Sequence, residues 1–250
     1  MRRPALHLAI AVCVLLAGCS VLGPDHTRDE RAESALADAR DAMDDTESYR
    51  FDGEISVVAT VDGRTERVDV RMNGTVDADN RRIHGFAERD GEVSESYLHN
   101  RTRYRECGGP FDRWAVETVE TDDWATMTPA VRQLSLLESG SLYYNGTRTV
   151  DGRETTLLVG EPSGAAITQY QERRSRSLFG GPNVENARVR VWLDEKTDRL
   201  RQTRIQFDVS QGSNTATATV TMRFSDYGSD ASVDVPVIPE DEQWTGDCPG

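Results

Sequence analysis

The chain has 250 residues and a formal net charge of −14, from 43 acidic and 29 basic side chains. This charge disfavours nucleic acid as a partner, because an acidic surface repels a phosphate backbone. The length allows one large domain or two small ones, and no linker is long enough to divide the chain, so one domain is expected.

Arginine supplies every basic residue except Lys196. Abundant acid with almost no lysine is typical of proteins from saturated salt, where dense carboxylates keep the surface hydrated. Molar salt also shortens the Debye length to about 3 Å, which makes such a charge tolerable. A GC-rich genome would favour arginine too, so the composition favours a halophilic origin without requiring it.

A short apolar run follows Arg2-Arg3 and ends at Leu16-Ala17-Gly18-Cys19. A basic start, a brief apolar stretch and small residues before a cleavage site are the layout of a secretory signal. The ending matches the lipobox of bacterial and archaeal lipoproteins, which implies cleavage before Cys19 and a lipid on its sulfur. The alternatives are an unlipidated secretion signal and a transmembrane anchor, but an anchor needs about 20 apolar residues and this run is shorter.

The sequence therefore predicts a lipoprotein signal peptide over residues 1–18 and a lipidated tether over 19–27. The protein is expected on the extracytoplasmic face of the cell membrane. Removing residues 1–18 leaves a chain near −16, so the covalent lipid must hold it against an anionic membrane surface. The paired arginines leave open whether export follows the general or the twin-arginine route.

Two cysteines, Cys107 and Cys248, remain after Cys13 leaves with the signal and Cys19 takes the lipid. Leftover cysteines outside the cytoplasm most often pair, so a disulfide is expected. It would close a loop of about 140 residues and contribute about 4–5 kcal/mol in the chain-entropy model. Metal binding is the rival interpretation, but no histidine lies at ligand spacing from a cysteine, and no metal or cofactor is expected.

The first predicted element is a helix with Thr27 as N-cap and Glu30 closing a capping box. Its apolar stripe has helical spacing and consists of Ala32, Ala35, Leu36, Ala39 and Met43. The period changes to two at Tyr49, which indicates a long half-buried strand. Turns at Asp62-Gly63, Asn73-Gly74 and Asp90-Gly91 then predict an antiparallel meander with one wet face.

The middle of the chain predicts two more helices and a hairpin. Thr128 and Pro129 form an N-terminal helix signal, and Gly140 ends that helix. Strands follow on both sides of Asp151-Gly152, and a further helix is expected over Ser163–Leu178.

The last third of the chain shows the clearest alternation of apolar and polar residues. Apolar residues recur at every second position in three segments: Val189, Val191 and Leu193; Ile205, Phe207 and Val209; and Ala216, Ala218, Val220, Met222 and Phe224. The small Ala216 and Ala218 on a curved sheet leave volume either for a ligand or for a closely packed helix. A single domain over 28–235 and a coil tail over 236–250 are expected.

Catalytic motifs are missing from the sequence, so no enzyme is expected. His84 and His99 accompany no nucleophile motif, and a lone histidine on a strand is usually structural. Three sequons are glycosylation candidates at predicted turns or strand ends, at Asn73, Asn100 and Asn145. A small basic cluster, Arg173, Arg174 and Arg176, is expected on the wet face of a helix.

Short motifs carry a resemblance to known families. The lipobox, the small-residue helix and the opening Tyr49-Arg50-Phe51 resemble lipoproteins of halophilic archaea. Val191-Trp192-Leu193-Asp194, Leu200 and Phe224-Ser225-Asp226-Tyr227-Gly228 are similar to the lipoprotein-carrier superfamily that includes LolA and the actinobacterial lipid-transfer lipoproteins. The resemblance implies an α+β fold, in which an antiparallel curved sheet forms an unclosed half-barrel covered by a few helices.

Members of that superfamily hold an acyl chain or a lipoprotein tail in the hollow, and they offer no catalytic residues to carry over. We therefore expect a lipid or other apolar ligand in the half-barrel. The alternative is a structural or protein-interaction lipoprotein of the cell envelope with no ligand. The expected lining residues are Ile55, Val57, Val70, Met72, Val191, Ala218, Val220 and Met222.

Overall fold

The computed structural model describes residues 26–108, 113–120, 123–172, 183–228, 231–246 and 248. The signal peptide, Cys19 and most of the tether lie outside these residues and remain predictions. So do the arginine cluster at 173–176 and the last part of the helix predicted over Ser163–Leu178.

One sheet dominates the described residues. Its strands are β1 (Ser48–Val61), β2 (Arg64–Asp77), β3 (Arg82–Arg89), β4 (Glu92–His99), β5 (Thr102–Cys107), β6 (Arg113–Thr118), β7 (Ser141–Val150), β8 (Arg153–Glu161), β9 (Asn183–Asp194), β10 (Leu200–Gln211), β11 (Asn214–Ser225) and β12 (Gln243–Thr245). Their spatial order is β12-β6-β5-β4-β3-β2-β1-β11-β10-β9-β8-β7. Neighbours run antiparallel, except that β12 is parallel to β6.

Three helices accompany the sheet: α1 (Glu30–Asp44), α2 (Pro129–Ser135) and α3 (Gly164–Glu172). They cover part of the face that carries Tyr49 and Phe51, which we call the inner face; the opposite side is the outer face. The sheet is curved and unclosed, with β7 and β12 as its edges. The predicted α+β half-barrel is therefore confirmed.

Helix α1 begins two residues later than predicted. Asp29, not Thr27, is its N-cap, and the Asp29 carboxylate accepts hydrogen bonds from the backbone N–H groups of Arg31 and Ala32 at 2.8 and 3.2 Å. Thr27 instead accepts a backbone hydrogen bond from Leu142, because the chain before the helix pairs with β7. The predicted stripe is confirmed, since Ala32, Leu36, Ala39 and Met43 are buried and Ala35 packs against the core.

Two of the three predicted turns in the meander are present. Asp62-Gly63 and Asp90-Gly91 both adopt positive φ, as a tight hairpin turn of this kind requires. The turn predicted at Asn73-Gly74 is wrong, because β2 continues through it to Asp77. Gly74 allows close packing instead: a Cβ there would lie 2.6 Å from the Phe51 ring.

A buried polar network joins the helices to the sheet. The Gln133 side chain of α2 donates to the Tyr170 hydroxyl of α3 at 2.7 Å and accepts from the Thr203 hydroxyl of β10 at 3.1 Å. Gln133 is 1% exposed, so these partners replace water for its amide. The predicted helix start at Thr128 and Pro129 is confirmed.

The C-terminal tail packs on the outer face of β2 and β3. The Val233 N–H donates to the Asp77 carboxylate at 3.3 Å, and the Arg82 guanidinium donates to the Val233 carbonyl at 2.9 Å. Beyond this point the tail forms β12, and the disulfide Cys107–Cys248 predicted from the cysteine count joins it to β5.

Candidate functional site

All eight predicted lining residues lie on the inner face. Ile55 of β1 stands opposite Val70 of β2 and Val220 of β11. Val57 stands opposite Ala218, and Val191 lies two strands from Met222 in the same row. Alternation along the strands therefore identified the correct face of each one.

Half of these residues belong to the hydrophobic core. Val191, Ala218, Val220 and Met222 are 0–4% exposed and pack with residues of the three helices. We call the inner face of β8 to β11 the covered half. Because these four side chains are packed inside the core, their burial does not support the prediction that they line a hollow. They share the inner face with the half-buried members of the set.

The other half of the set remains accessible. Ile55, Val57, Val70 and Met72 are only half-buried, and they continue the core toward the end of the hairpin that joins β1 and β2. Ala59 and Val68 extend the same apolar surface. We call these six residues the open half of the inner face.

A groove of about 580 Å³ continues the open half to the tip of this hairpin. It is lined by two apolar residues, Ala59 and Val61, and by three charged ones, Asp62, Arg64 and Glu66, so charged side chains make up most of its lining. The volume lies within the range of roughly 300–1,000 Å³ common for small-molecule sites. The arrangement suits a ligand with an apolar body and a polar end.

Sequence reasoning missed Ala59 and Val68 as members of this surface, although both lie in phase with the residues that it named. Arg64 and Glu66 were also missed. Their signal was weak, because charged residues beside a turn are common in so charged a chain.

The outer face carries a separate polar and aromatic cluster. Glu95 accepts from the Tyr97 hydroxyl at 2.7 Å and lies 2.6 Å from Nε2 of His84, whose ring stacks on Tyr97 with centroids 4.4 Å apart. Burial and the Glu95 carboxylate raise the pKa of Tyr97. These contacts join β3 to β4, which accounts for His84 as a structural histidine.

The described residues hold no group of three or more His, Cys, Asp or Glu side chains that could bind a metal ion. Within the same residues, none of the helices has the length and apolar character of a membrane span. The three sequon asparagines are exposed. Only Asn100 lies in a turn, since Asn73 is inside β2 and Asn145 lies at an irregularity of β7.

No family model matches the chain, and no curated protein matches it. Solved structures do. The lipoprotein LppX of Mycobacterium tuberculosis aligns with 17% identity and a TM-score of 0.47, over 82% of this chain and 100% of LppX. LprF from Mycobacterium bovis aligns with 15% identity and a TM-score of 0.45, over 84% and 99%.

A LolA superfamily protein from Nitrosomonas europaea aligns with 10% identity and a TM-score of 0.31, covering 84% of this chain and 98% of that one. The structures to which this chain is similar therefore include the lipoprotein LppX and a LolA superfamily protein.

Proposed function

We propose that this protein is a lipoprotein, anchored through Cys19 to the extracytoplasmic face of the cell membrane, that binds a lipid or other apolar ligand without catalysing a reaction. The open half of the inner face carries the proposal. There, Ile55, Val57, Val70 and Met72 leave apolar surface beside a groove instead of burying it under a helix.

The energetics favour a long apolar chain over a small molecule. Each buried methylene contributes about 0.8 kcal/mol, so ten of them contribute about 8 kcal/mol. Association costs roughly 4–15 kcal/mol in lost freedom, so a short apolar group would not bind measurably. A lipid acyl chain would lie along β1 and β2 on the open half, with its polar end in the groove near Arg64.

Native mass spectrometry of a soluble Cys19→Ser form tests the binding. We expect the protein to co-purify with an apolar compound whose added mass disappears after extraction with organic solvent. A protein that purifies without any adduct and takes up none from offered fatty acid or phospholipid would contradict the proposal. It would favour the alternative of an envelope lipoprotein that has no ligand.

Val57 and Val58 provide a matched pair of variants for this experiment. They are neighbours in β1, but Val57 faces the open half and Val58 is 39% exposed on the outer face. Val57→Glu should abolish the adduct, because a charge would be buried against the apolar ligand. Val58→Glu should retain it. Equal adducts in both variants would place the ligand elsewhere.

The anchor is tested separately. Intact protein should be in the membrane fraction and carry a lipid mass on Cys19, whereas the Cys19→Ser form should be in the soluble fraction. Because a single acyl chain holds a protein only marginally, we expect a modification with more than one chain.

A further inference from the structure

The chain between the proposed anchor and the fold meets the sheet at a defined place. Arg28 bridges to Leu142 of β7, and two backbone hydrogen bonds of 2.9 Å flank this bridge. The Arg28 guanidinium also donates to the carbonyls of Leu137 and Gly140 at 3.1 and 3.0 Å. The start of the folded domain is therefore fixed, and the tether begins from it.

The direction of the tether follows from the pairing. The segment around Arg28 runs parallel to β7, so the chain before it leaves toward the end where β7 begins. That end of the sheet also carries the turns Asp62-Gly63, Asp90-Gly91 and Gly212-Ser213. We call it the hairpin end. The Asp62 N–H donates to the Asn214 side chain at 3.3 Å, so two of these hairpin tips touch.

The tether is too short to bring the opposite end of the sheet to the membrane. Seven residue steps separate Cys19 from His26, so the tether spans about 24 Å when fully extended. From Leu142 to the far end of β7 at Val150 is about 27 Å in the direction away from the tether.

Two features of the hairpin end suit a bilayer surface. Val61 lies beside the Asp62-Gly63 turn and is 50% exposed, which makes it one of the most exposed large apolar side chains of the described residues. The groove of the open half also ends there, at Val61, Asp62 and Arg64. Exposed apolar side chains at a tethered end gain by contact with the headgroup and acyl boundary.

We infer that the hairpin end docks on the bilayer surface to which the protein is tethered, so that the groove opens toward the membrane. This inference rests on the proposed anchor and ligand site, and it adds the route of the ligand. A lipid would move between the bilayer and the open half past the tips of the β1–β2 and β10–β11 hairpins, without crossing bulk water.

Site-specific labels on the full lipidated chain test the orientation. Ser213→Cys places a thiol at the hairpin end after β10, and Lys196→Cys places one at the opposite end before β10; both positions are exposed turns. Each variant is labelled with an environment-sensitive fluorophore and reconstituted in phosphatidylcholine vesicles that contain a lipid with a nitroxide on its headgroup. Cys107 and Cys248 are unreactive in their disulfide.

We expect the nitroxide lipid to quench the Ser213→Cys label strongly and the Lys196→Cys label weakly. Equal quenching, or stronger quenching at Lys196→Cys, would overturn the inference while leaving ligand binding, measured on the soluble form, untouched. If the quenching pattern is as expected but the soluble form binds no lipid, the proposed function is contradicted and the inferred orientation is retained. An unmodified Cys19 in cells would overturn the anchor and this inference together.

Discussion

The two halves of the inner face have the same kind of sequence and different surroundings. Ile55 and Val220 are directly opposite each other on neighbouring strands, yet Val220 is 4% exposed and Ile55 is only half-buried. The difference comes from the helices, which pack over the strands that carry Val220 and leave the end of β1 uncovered. An alternating strand therefore specifies which face is apolar, and distant elements decide whether that face is filled.

The halves also differ in how they are supported. The covered half is closed from inside by α1, α2 and α3. On the outer face, the tail packs at the end of β2 and β3 marked by Asp77 and Arg82, and the disulfide secures the end of the tail to β5. This outer bracing does not cover the inner side of β1 and β2.

We expect the largest difference in the free energy of unfolding between the alanine variants of Met222 and Met72. Both flank Gly53 on opposite sides of β1, where a Cβ would lie 3.1 Å from each side chain. Met222→Ala should lower the free energy of unfolding by about 2–5 kcal/mol, because it leaves a cavity in the covered half. Met72→Ala should cost less than half as much in the ligand-free protein. Urea unfolding of both variants measures this, and equal losses would contradict the division into two halves.

Removing the disulfide tests the outer bracing. The variant with Cys107→Ser and Cys248→Ser should lose about 2–4 kcal/mol of stability, because the bridge closes a long loop in the unfolded chain and disulfides commonly contribute less than the chain-entropy model gives. Oxidised and reduced wild-type protein should differ by a similar amount in thermal unfolding. If reduction leaves the melting temperature unchanged, the tail does not brace the sheet.

Gly74 of β2 and Gly85 of β3 are directly opposite each other, but an added methyl group should affect stability very differently at the two positions. Gly74→Ala should cost about 1–3 kcal/mol through overpacking, since its Cβ would lie 2.3 Å from the His84 carbonyl oxygen. Gly85→Ala meets its nearest neighbour, the Ser96 hydroxyl oxygen, at 3.5 Å and should be nearly neutral. Thermal unfolding of the pair checks this, and a tolerated Gly74→Ala would refute the packing described for Phe51.

The smallest expected effect concerns Asp198, outside both halves. Burial, and then Asp38 and Asp194, raise the pKa of Asp198 above 3.8, so ionisation costs the folded state stability as the pH rises through that raised value. Asp198→Asn should therefore gain a few tenths of a kcal/mol near pH 7, after allowance for solvent screening. Asparagine tolerates the φ of +54° there.

The gain from Asp198→Asn should vanish at a pH below 3.8, where the carboxyl is protonated in both states, and it should shrink in molar salt. Melting temperatures across pH and salt measure this dependence. A gain that persists at acidic pH would show that ionisation of Asp198 is not its cause.

Local pattern predicted most elements, because alternation, capping residues and Asp-Gly turns act over a few residues. The predictions were wrong where a residue typical of a turn or a cap instead makes a contact with a residue distant in the sequence. Gly74 resembled a turn residue but makes room for Phe51, and Thr27 resembled a cap but pairs with Leu142. The burial of Met222 was not predictable for the same reason, since nothing within β11 indicates that α2 lies over it.

The most direct test of the central claim is to locate a bound chain by photocrosslinking. The soluble Cys19→Ser protein, stripped of ligand, is loaded with a fatty acid that carries a diazirine near its end and is irradiated; mass spectrometry of the peptides then maps the adducts. The account predicts adducts on β1 and β2, at Ile55, Val57, Val70 or Met72, which excess unlabelled fatty acid suppresses. Adducts confined to the outer face, or none above the level of a Val57→Glu control, would contradict it.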